Sequence, residues 1–457
     1  MKKEPVEEVI EKLRVATLGT EYEDNLYLVG GIVRDRLLNI HLSEDIDLVL
    51  EGSSADLAHF LHDKLKTTTP VIYPRFETAM VCLGNCQIEI VSARKESYVP
   101  ESRKPFTEKG KLVDDIYRRD FTINTLLENL HTNEILDLTS SGIEDLNNRI
   151  IRTPLDPETT FIDDPLRMLR AIRFSARFGF EIEENTYTAL TNNVSRLSII
   201  SFERIRDEFV KILMDKSAMD GFEKLRETKL LDVFAPEISA MYGVEQNIYH
   251  IYDVWTHSMK VLENMPISAG LVMRLSALLH DIGKPDTRSV DENGNVHFYE
   301  HQKVGADMAK KLLKKLKFSS NLADEVSHII AMHLRVGEYD SQWTDAAVRR
   351  LIRDAGKDLE NLILLTECDK NAANPDMPSV DIKALREHIE KVMKKLEGNN
   401  IASPLNGNEI KEIINCTEGK IVGEAKKFLE KQVIEGNIYP ADKKTAAQAL
   451  VEWYNMR

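Results

Sequence analysis

Strand-like segments are confined to the first third of this 457-residue chain, and that confinement restricts the fold more than any other feature. LYLV (26–29) is a short apolar run that ends at Gly30-Gly31 and leads into a helical pattern through Leu38. DIDLVL (45–50), ETAMVCL (77–83) and QIEIVSA (87–93) are three further runs of strand character. Their mixture with helical segments predicts an α/β or α+β sheet domain. From about Pro100 to Val113 the chain turns polar and charged, which reads as a mobile loop. Beyond about residue 155 the strand signals stop and the apolar period is helical, with loops at DENGNV (291–296) and NNIASPLNGN (399–408). This length exceeds one ordinary hydrophobic core. Boundaries are therefore expected near 155, 240 and 385. The overall class is α+β, with a small mixed sheet domain over 1–155 and helical segments over 156–240, 241–385 and 386–457.

Composition excludes several classes. Apolar residues make up 42% and charged residues 30%, as in a globular protein, and no apolar run approaches the length of a bilayer span. The N-terminal stretch lacks an apolar signal core and reads as a capped surface helix. Four cysteines give no disulfide framework, so a reducing, cytoplasmic setting is expected. Cys82 and Cys86 flank a Gly84-Asn85 turn and read as ordinary thiols in a hairpin. A net charge of −15 argues against a chain coated with nucleic acid, but leaves room for one basic groove. Arg167, Arg170, Arg173 and Arg177 recur along one side of a helix among Leu166, Leu169, Ile172 and Phe174. Six lysines between Lys303 and Lys317 read as a solvated helix face.

Two constellations carry chemistry. In the first, Gly30-Gly31 sit where a strand gives way to a helix, so backbone N–H groups can approach a phosphate, with Arg34 one turn on. Asp45 and Asp47 follow at i and i+2 on a strand, on one face, and Glu89 adds a third acid on another strand. Carboxylates gathered in this way repel one another unless a cation lies among them, and oxygen ligands suit Mg2+. A metal pair of that kind serves in-line displacement at phosphorus, here attack of a 3′-hydroxyl on an α-phosphate with loss of pyrophosphate.

LVGGIVRDRLL followed by EDIDLVL resembles the head signature of the class II tRNA nucleotidyltransferase and bacterial poly(A) polymerase family, and the likeness extends to about residue 240. RRDFTIN (118–124) resembles the second motif of that family, which implies that Arg119, Asp120 and Asn124 handle the incoming ribose and phosphates. Thr125 stands where the family usually has alanine. DLTSSGIEDL (137–146), DDPLR (163–167) and SFERIRDEF (201–209) resemble the third, fourth and fifth motifs. Asp164 and Arg167, at i and i+3, are expected on one helix face. There an aspartate accepts from the exocyclic amine common to cytosine and adenine while an arginine donates to their ring acceptors. Arg170 and Arg173 continue the nucleotide-facing stripe. The segment 94–112 is expected to reshape the pocket between cytidine and adenosine addition.

The second constellation is HDIGKP (280–285), with His257 upstream and Asp369 in an apolar stretch downstream. His257, His280, Asp281 and Asp369 resemble the ligand set of the HD phosphohydrolase superfamily, which implies a divalent metal. His301 follows the motif, and His328 and His333 are additional candidate ligands. The tail (405–436), with Gly407, Gly419 and Gly423, loosely resembles the family's C-terminal tRNA-binding tail, but carries Thr417-Glu418-Gly419 where the family tends to proline before glycine. The resemblance thus implies a nucleotidyltransferase head, a base-reading neck, an HD domain and an RNA-gripping tail. Together they would add CCA to the tRNA 3′ end from CTP and ATP, with no membrane partner. Rivals within the same chemistry are a CC-adding or A-adding specialist and a poly(A) polymerase. An HD phosphohydrolase with a nucleotide- or RNA-binding head is the rival of another class. A non-catalytic RNA-binding protein is disfavoured by the presence of all the acids.

Overall fold

The computed structural model describes residues 5–99, 102–396, 401–416 and 419–456. Thr417, Glu418, the Pro100-Glu101 pair and the first part of the 399–408 loop, each singled out above, lie outside them. The chain divides into two compact units, Met1–Phe234 and Ala235–Arg457.

The first unit is built on a mixed sheet of β1 (Leu26–Val29), β2 (Asp45–Leu50), β3 (Val71–Tyr73), β4 (Thr78–Leu83), β5 (Cys86–Ser92), β8 (Leu127–Asn129) and β9 (Ile135–Leu136). Its order is β3-β4-β5-β2-β1-β8-β9, with β2 and β5 parallel and the remaining neighbours antiparallel. Three of these strands, β3, β8 and β9, carry no sequence signal, because two or three residues are too few for a period of two to register. The polar stretch expected as a loop is instead a hairpin. There β6 (Arg94–Val99) pairs antiparallel with β7 (Ser102–Lys109), with an irregularity between Ser97 and Val99. Ladder hydrogen bonds come from the backbone and need no apolar face, so composition alone misleads at this point.

Helix α1 (Val6–Thr17) buries Val9, Ile10 and Leu13 and exposes its opposite face, so it is the surface helix expected, but it has no side-chain cap. Short α2 (Gly31–Leu37) follows β1, while α3 (Ser54–Leu65), α4 (Leu112–Tyr117) and α5 (Gly142–Asn148) complete the sheet domain. Cys82 and Cys86 flank the β4–β5 turn and form no disulfide. The neck follows with α6 (Pro157–Asp163), α7 (Leu166–Phe178), α8 (Glu184–Asn192) and α9 (Phe202–Leu213). A two-residue strand at Ile150–Ile151 pairs with Glu181–Ile182, so strand structure does not end at 155.

In the second unit, helices Val254–Asn264, Gly270–Leu279, His301–Lys315, Ser320–Met332 and Leu359–Ala372 form a bundle. The DENGNV loop is the turn of a small hairpin, Arg288–Val290 with Val296–Phe298, a second departure from the all-helical expectation. Helix Ile382–Lys395 runs through the boundary expected at 385. The tail helices Gly407–Ile413, Gly419–Glu435 and Lys443–Asn455 enclose their own core, with Ile410, Ala425, Leu429, Ala446 and Leu450 fully buried. No helix of the described residues is long and apolar enough to cross a membrane.

Candidate functional sites

Parallel pairing of β2 with β5 sets Asp47 directly opposite Glu89, and Asp45 lies two residues earlier on the same face of β2. The apolar residues between them, Ile46, Leu48, Ile88 and Ile90, are fully buried on the opposite face. Alternation therefore drives the acids outward to one surface. Burial pushes the Asp47 carboxyl up to about 6; nearby Arg119 opposes the shift, and Glu89 and Asp45 add to it. Such a set fits a divalent cation, since a cation replaces the proton that the neighbouring acids otherwise favour.

Gly30 closes this surface from the side of β1. Its φ of 74° and ψ of −128° are rarely adopted by residues with side chains, and a Cβ there would stand 3.3 Å from the Arg119 guanidinium Nη1 and 3.5 Å from Asp47 Oδ2. Arg119 itself is aimed by fully buried Asp115, whose Oδ2 accepts from its Nη2 at 3.0 Å, while Asp115 Oδ1 accepts from Arg118. Arg34 stands beside the same turn, its Nη2 3.5 Å from where a Cβ on Gly31 would lie. It is 4% exposed, donates to Asn124 Oδ1 at 2.5 Å and to Asp35 at 2.7 Å, and lies against the rings of Phe174 and Phe178. Asn124 in turn donates to Asp120 Oδ1 at 2.9 Å, and Asp120 Oδ2 accepts from Arg170 at 2.6 Å. Burial alone would raise the Asp120 carboxyl, but Arg170 and Asn124 outweigh it and hold the group at about 2.

The arginine stripe of α7 is a half-buried network. Arg173 donates to Glu208 of α9 at 2.7 Å, Arg170 lies 3.9 Å from the same carboxylate, and Arg177 lies 3.9 Å from Asp35. Asp164 and Arg167 do not share a helix face as expected. Pro165 keeps the residue before it out of helical geometry. Asp164 is accordingly extended (φ −138°, ψ 95°) at the end of α6, and Arg167 stands in the first turn of α7. Asp164 is bound by Arg204 of α9 at 2.9 Å, whereas Arg167 donates to the Arg118 carbonyl and lines a cavity of about 210 Å³ with Tyr117, Thr160 and Lys95. Asp35, Asp115, Arg204 and Glu208 were not foreseen. Glu208 carried a signal: it lies in register with Ile205, Phe209 and Ile212 on the apolar side of its helix.

In the second unit, His257, His280 and Asp369 form one compact group and Asp281, His301 and His333 another. These are the compact ligand groups among the described residues; the head acids stand more openly on their sheet. His257 Nε2 is 3.0 Å from Asp369, His280 Nε2 is 3.2 Å from Asp281 Oδ2, and His301 Nε2 is 3.4 Å from Asp281 Oδ1. Asp281 thus faces both groups. Burial would raise its carboxyl, but His280, Lys284 and His301 hold it well below the ordinary range. Burial and His280 bring the His333 imidazole down to about 4, leaving it neutral, as a metal ligand must be. Of the additional candidates His333 joins the cluster; His328 does not, lying 42% exposed and 3.9 Å from Asp358. His301 proves as close to Asp281 as the expected ligands.

Residues 26–152 match the Poly A polymerase head domain, 179–242 the probable RNA and SrmB-binding site of polymerase A, and 247–374 the HD domain. The chain is 31% identical over 330 residues to the A-adding tRNA nucleotidyltransferase of Deinococcus radiodurans, covering 70% of this chain and 74% of that one. It is 27% identical over 438 residues to the CCA-adding enzyme of Ligilactobacillus salivarius, covering 94% and 92%. In structure it is similar to the Bacillus stearothermophilus CCA-adding enzyme in complex with CTP, with a TM-score of 0.70 at 22% identity over 100% of this chain and 99% of that one.

Proposed function

Because the chain belongs to the tRNA nucleotidyltransferase and bacterial poly(A) polymerase family, we propose that it adds CCA to the 3′ end of tRNA from CTP and ATP. It is a nucleotidyltransferase, and the observation that carries the assignment of its centre is the Asp47–Glu89 register with Asp45 on the same face. Asp45 and Asp47, assisted by Glu89, would hold Mg2+. When bound, the ions lower the pKa of the attacking hydroxyl and neutralise charge on the departing pyrophosphate. The protein's own groups do the positioning. Backbone N–H groups at Gly30-Gly31 and the guanidinium of Arg119, fixed by Asp115, bind the triphosphate. Asp120 and Asn124 orient the ribose, while Arg34, Arg170 and Arg173 keep those groups in place from behind. Asp164, held by Arg204, accepts from the base amine, and Arg167 donates to the ring. The hairpin of β6 and β7 takes the part expected of the 94–112 segment, that of adjusting the pocket between cytidine and adenosine.

Purified protein with Mg2+ is to be offered tRNA lacking CCA, tRNA ending in CC and a generic oligonucleotide, with CTP, ATP or both. Three-nucleotide extension of the first substrate is expected. Addition of CC alone or of A alone would replace the reading with a specialist, and long tails on generic RNA would make the chain a poly(A) polymerase. No addition at all would overturn it.

The raised Asp47 carboxyl gives a pH prediction. A group with its pKa near 6 must release its proton before a cation binds. Apparent cation affinity of the head is therefore expected to be flat above pH 6 and to fall about tenfold for each unit below it. Calorimetric titrations in two buffers of different ionisation enthalpy should show proton release approaching one per binding event at pH 5. Affinity unchanged from pH 7 to pH 5 would exclude Asp47 as the ligand.

A second proposal concerns the HD domain. The two adjoining groups, one of them containing Asp281, support a site for divalent metal with hydrolytic activity on phosphate esters, independent of the head.

A further inference from the structure

The edge of the head sheet beyond Glu89 has an aromatic hollow that the nucleotide reading leaves unused. A cavity of about 380 Å³ is lined by Tyr73, Phe76, Met80, Gln87, Glu89 and Arg94. Tyr73 ends β3 and Phe76 ends the single 3-10 turn that joins β3 to β4; they are 44% and 43% exposed. These rings are held in place. Arg94, itself nearly buried, donates to the Phe76 carbonyl and, at 3.2 Å, to the Thr78 hydroxyl, so the turn is braced from beneath. Arg75 in the same turn brings a guanidinium to 5.9 Å from the Phe76 ring centre.

Position gives the hollow its meaning. Met80 pairs with Glu89 across β4 and β5, and Glu89 pairs with Asp47 across β5 and β2. One register row thus runs from the hollow to the acids, two strand spacings or about 10 Å in all. A chain lying along that row would bring its terminal hydroxyl to Asp47 with its last bases over Tyr73 and Phe76. The acceptor of nucleotidyl transfer must present a terminal hydroxyl at those acids. In sequential addition its last base also changes with each step. Aromatic faces suit that demand, because every base has a π-face and stacking on a ring is tolerant of sequence.

We propose that Tyr73 and Phe76 form the stacking platform for the terminal bases of the acceptor RNA strand, with Arg75 facing its backbone. This rests on the reading of the head as the nucleotidyl-transfer centre. The rings position the RNA and take no part in the chemistry.

The probe is an acceptor-stem minihelix with 2-aminopurine as its 3′-terminal base, whose fluorescence falls on stacking. Quenching is expected with the unaltered protein and equally with Asp45→Ala, since it needs no turnover. It should be lost in Tyr73→Ala/Phe76→Ala and retained in Tyr73→Phe. The double variant should raise KM for RNA at least about tenfold with KM for CTP unchanged. Quenching and RNA KM both unaffected by the double variant would overturn the platform while leaving nucleotide addition intact. Quenching that depends on the two rings in a protein that extends no RNA would instead uphold the platform and overturn the reading of the head.

Discussion

Asp47→Ala is expected to lower kcat for nucleotide addition at least about a thousandfold, with RNA binding and circular dichroism unchanged. Asp45→Ala should match it. Removing one carboxylate of the set withdraws a ligand from ions that act on the attacking and departing oxygens alike, and a thousandfold corresponds to about 4 kcal/mol of transition-state stabilisation. The fold should survive, because Asp45 is exposed and Asp47 only half-buried, and truncation at Asp47 relieves repulsion with Glu89. Single-turnover rates on tRNA lacking CCA are the measurement. Activity within tenfold of the unaltered protein in both variants would remove the acids from the centre. Hydrolysis of a phosphate ester by the HD domain, where present, should be untouched, which separates the two centres.

The largest structural effect is expected from Glu208→Ala. This carboxylate is 3% exposed and receives Arg173 at 2.7 Å and Lys211 at 3.1 Å, with Arg170 close by. Truncation leaves the Arg173 guanidinium buried without its partner, and losses of about 3–5 kcal/mol follow from breaking such pairs. Glu208→Gln, which keeps an acceptor oxygen, should lose less. All three tryptophans, Trp255, Trp343 and Trp453, lie in the second unit, so their fluorescence does not report on this transition. Calorimetry and hydrogen exchange in α7 and α9 are the suitable probes. A melting profile identical to that of the unaltered protein would mean that the network contributes no net stability.

How far the site could be read from sequence depended on how local its signal was. Asp45 and Asp47 were legible because two acids at i and i+2 on a strand share a face by geometry alone. Their pairing with Glu89 needed the strand order, which places β5 beside β2 across an intervening helix and two strands and has no local trace. Asp164 and Arg167 were misplaced because spacing of three was read as one helix, although Pro165 between them signals a break. Arg34 stands beside Gly31, as its place one turn into the helix suggests, but its seat against Phe174 and Phe178 is announced by nothing near it in sequence. His328 and His333 looked equivalent. Five residues set side chains about 140° apart around a helix, and so only one of them can face the cluster. The hairpin of β6 and β7 was hidden by its polar composition.

Arg34 of the sheet domain lies against two rings contributed by α7, and Asp120 is neutralised by Arg170 of the same helix. The sheet is therefore not a portable cassette. A chimera that grafts residues 1–155 onto a foreign neck would leave Arg34 without its ring contacts and the Asp120 carboxylate without Arg170, unless Phe174, Phe178 and Arg170 travelled with it. Exchange of specificity among such enzymes by recombination should succeed at junctions beyond α7 and fail at the visible seam before it.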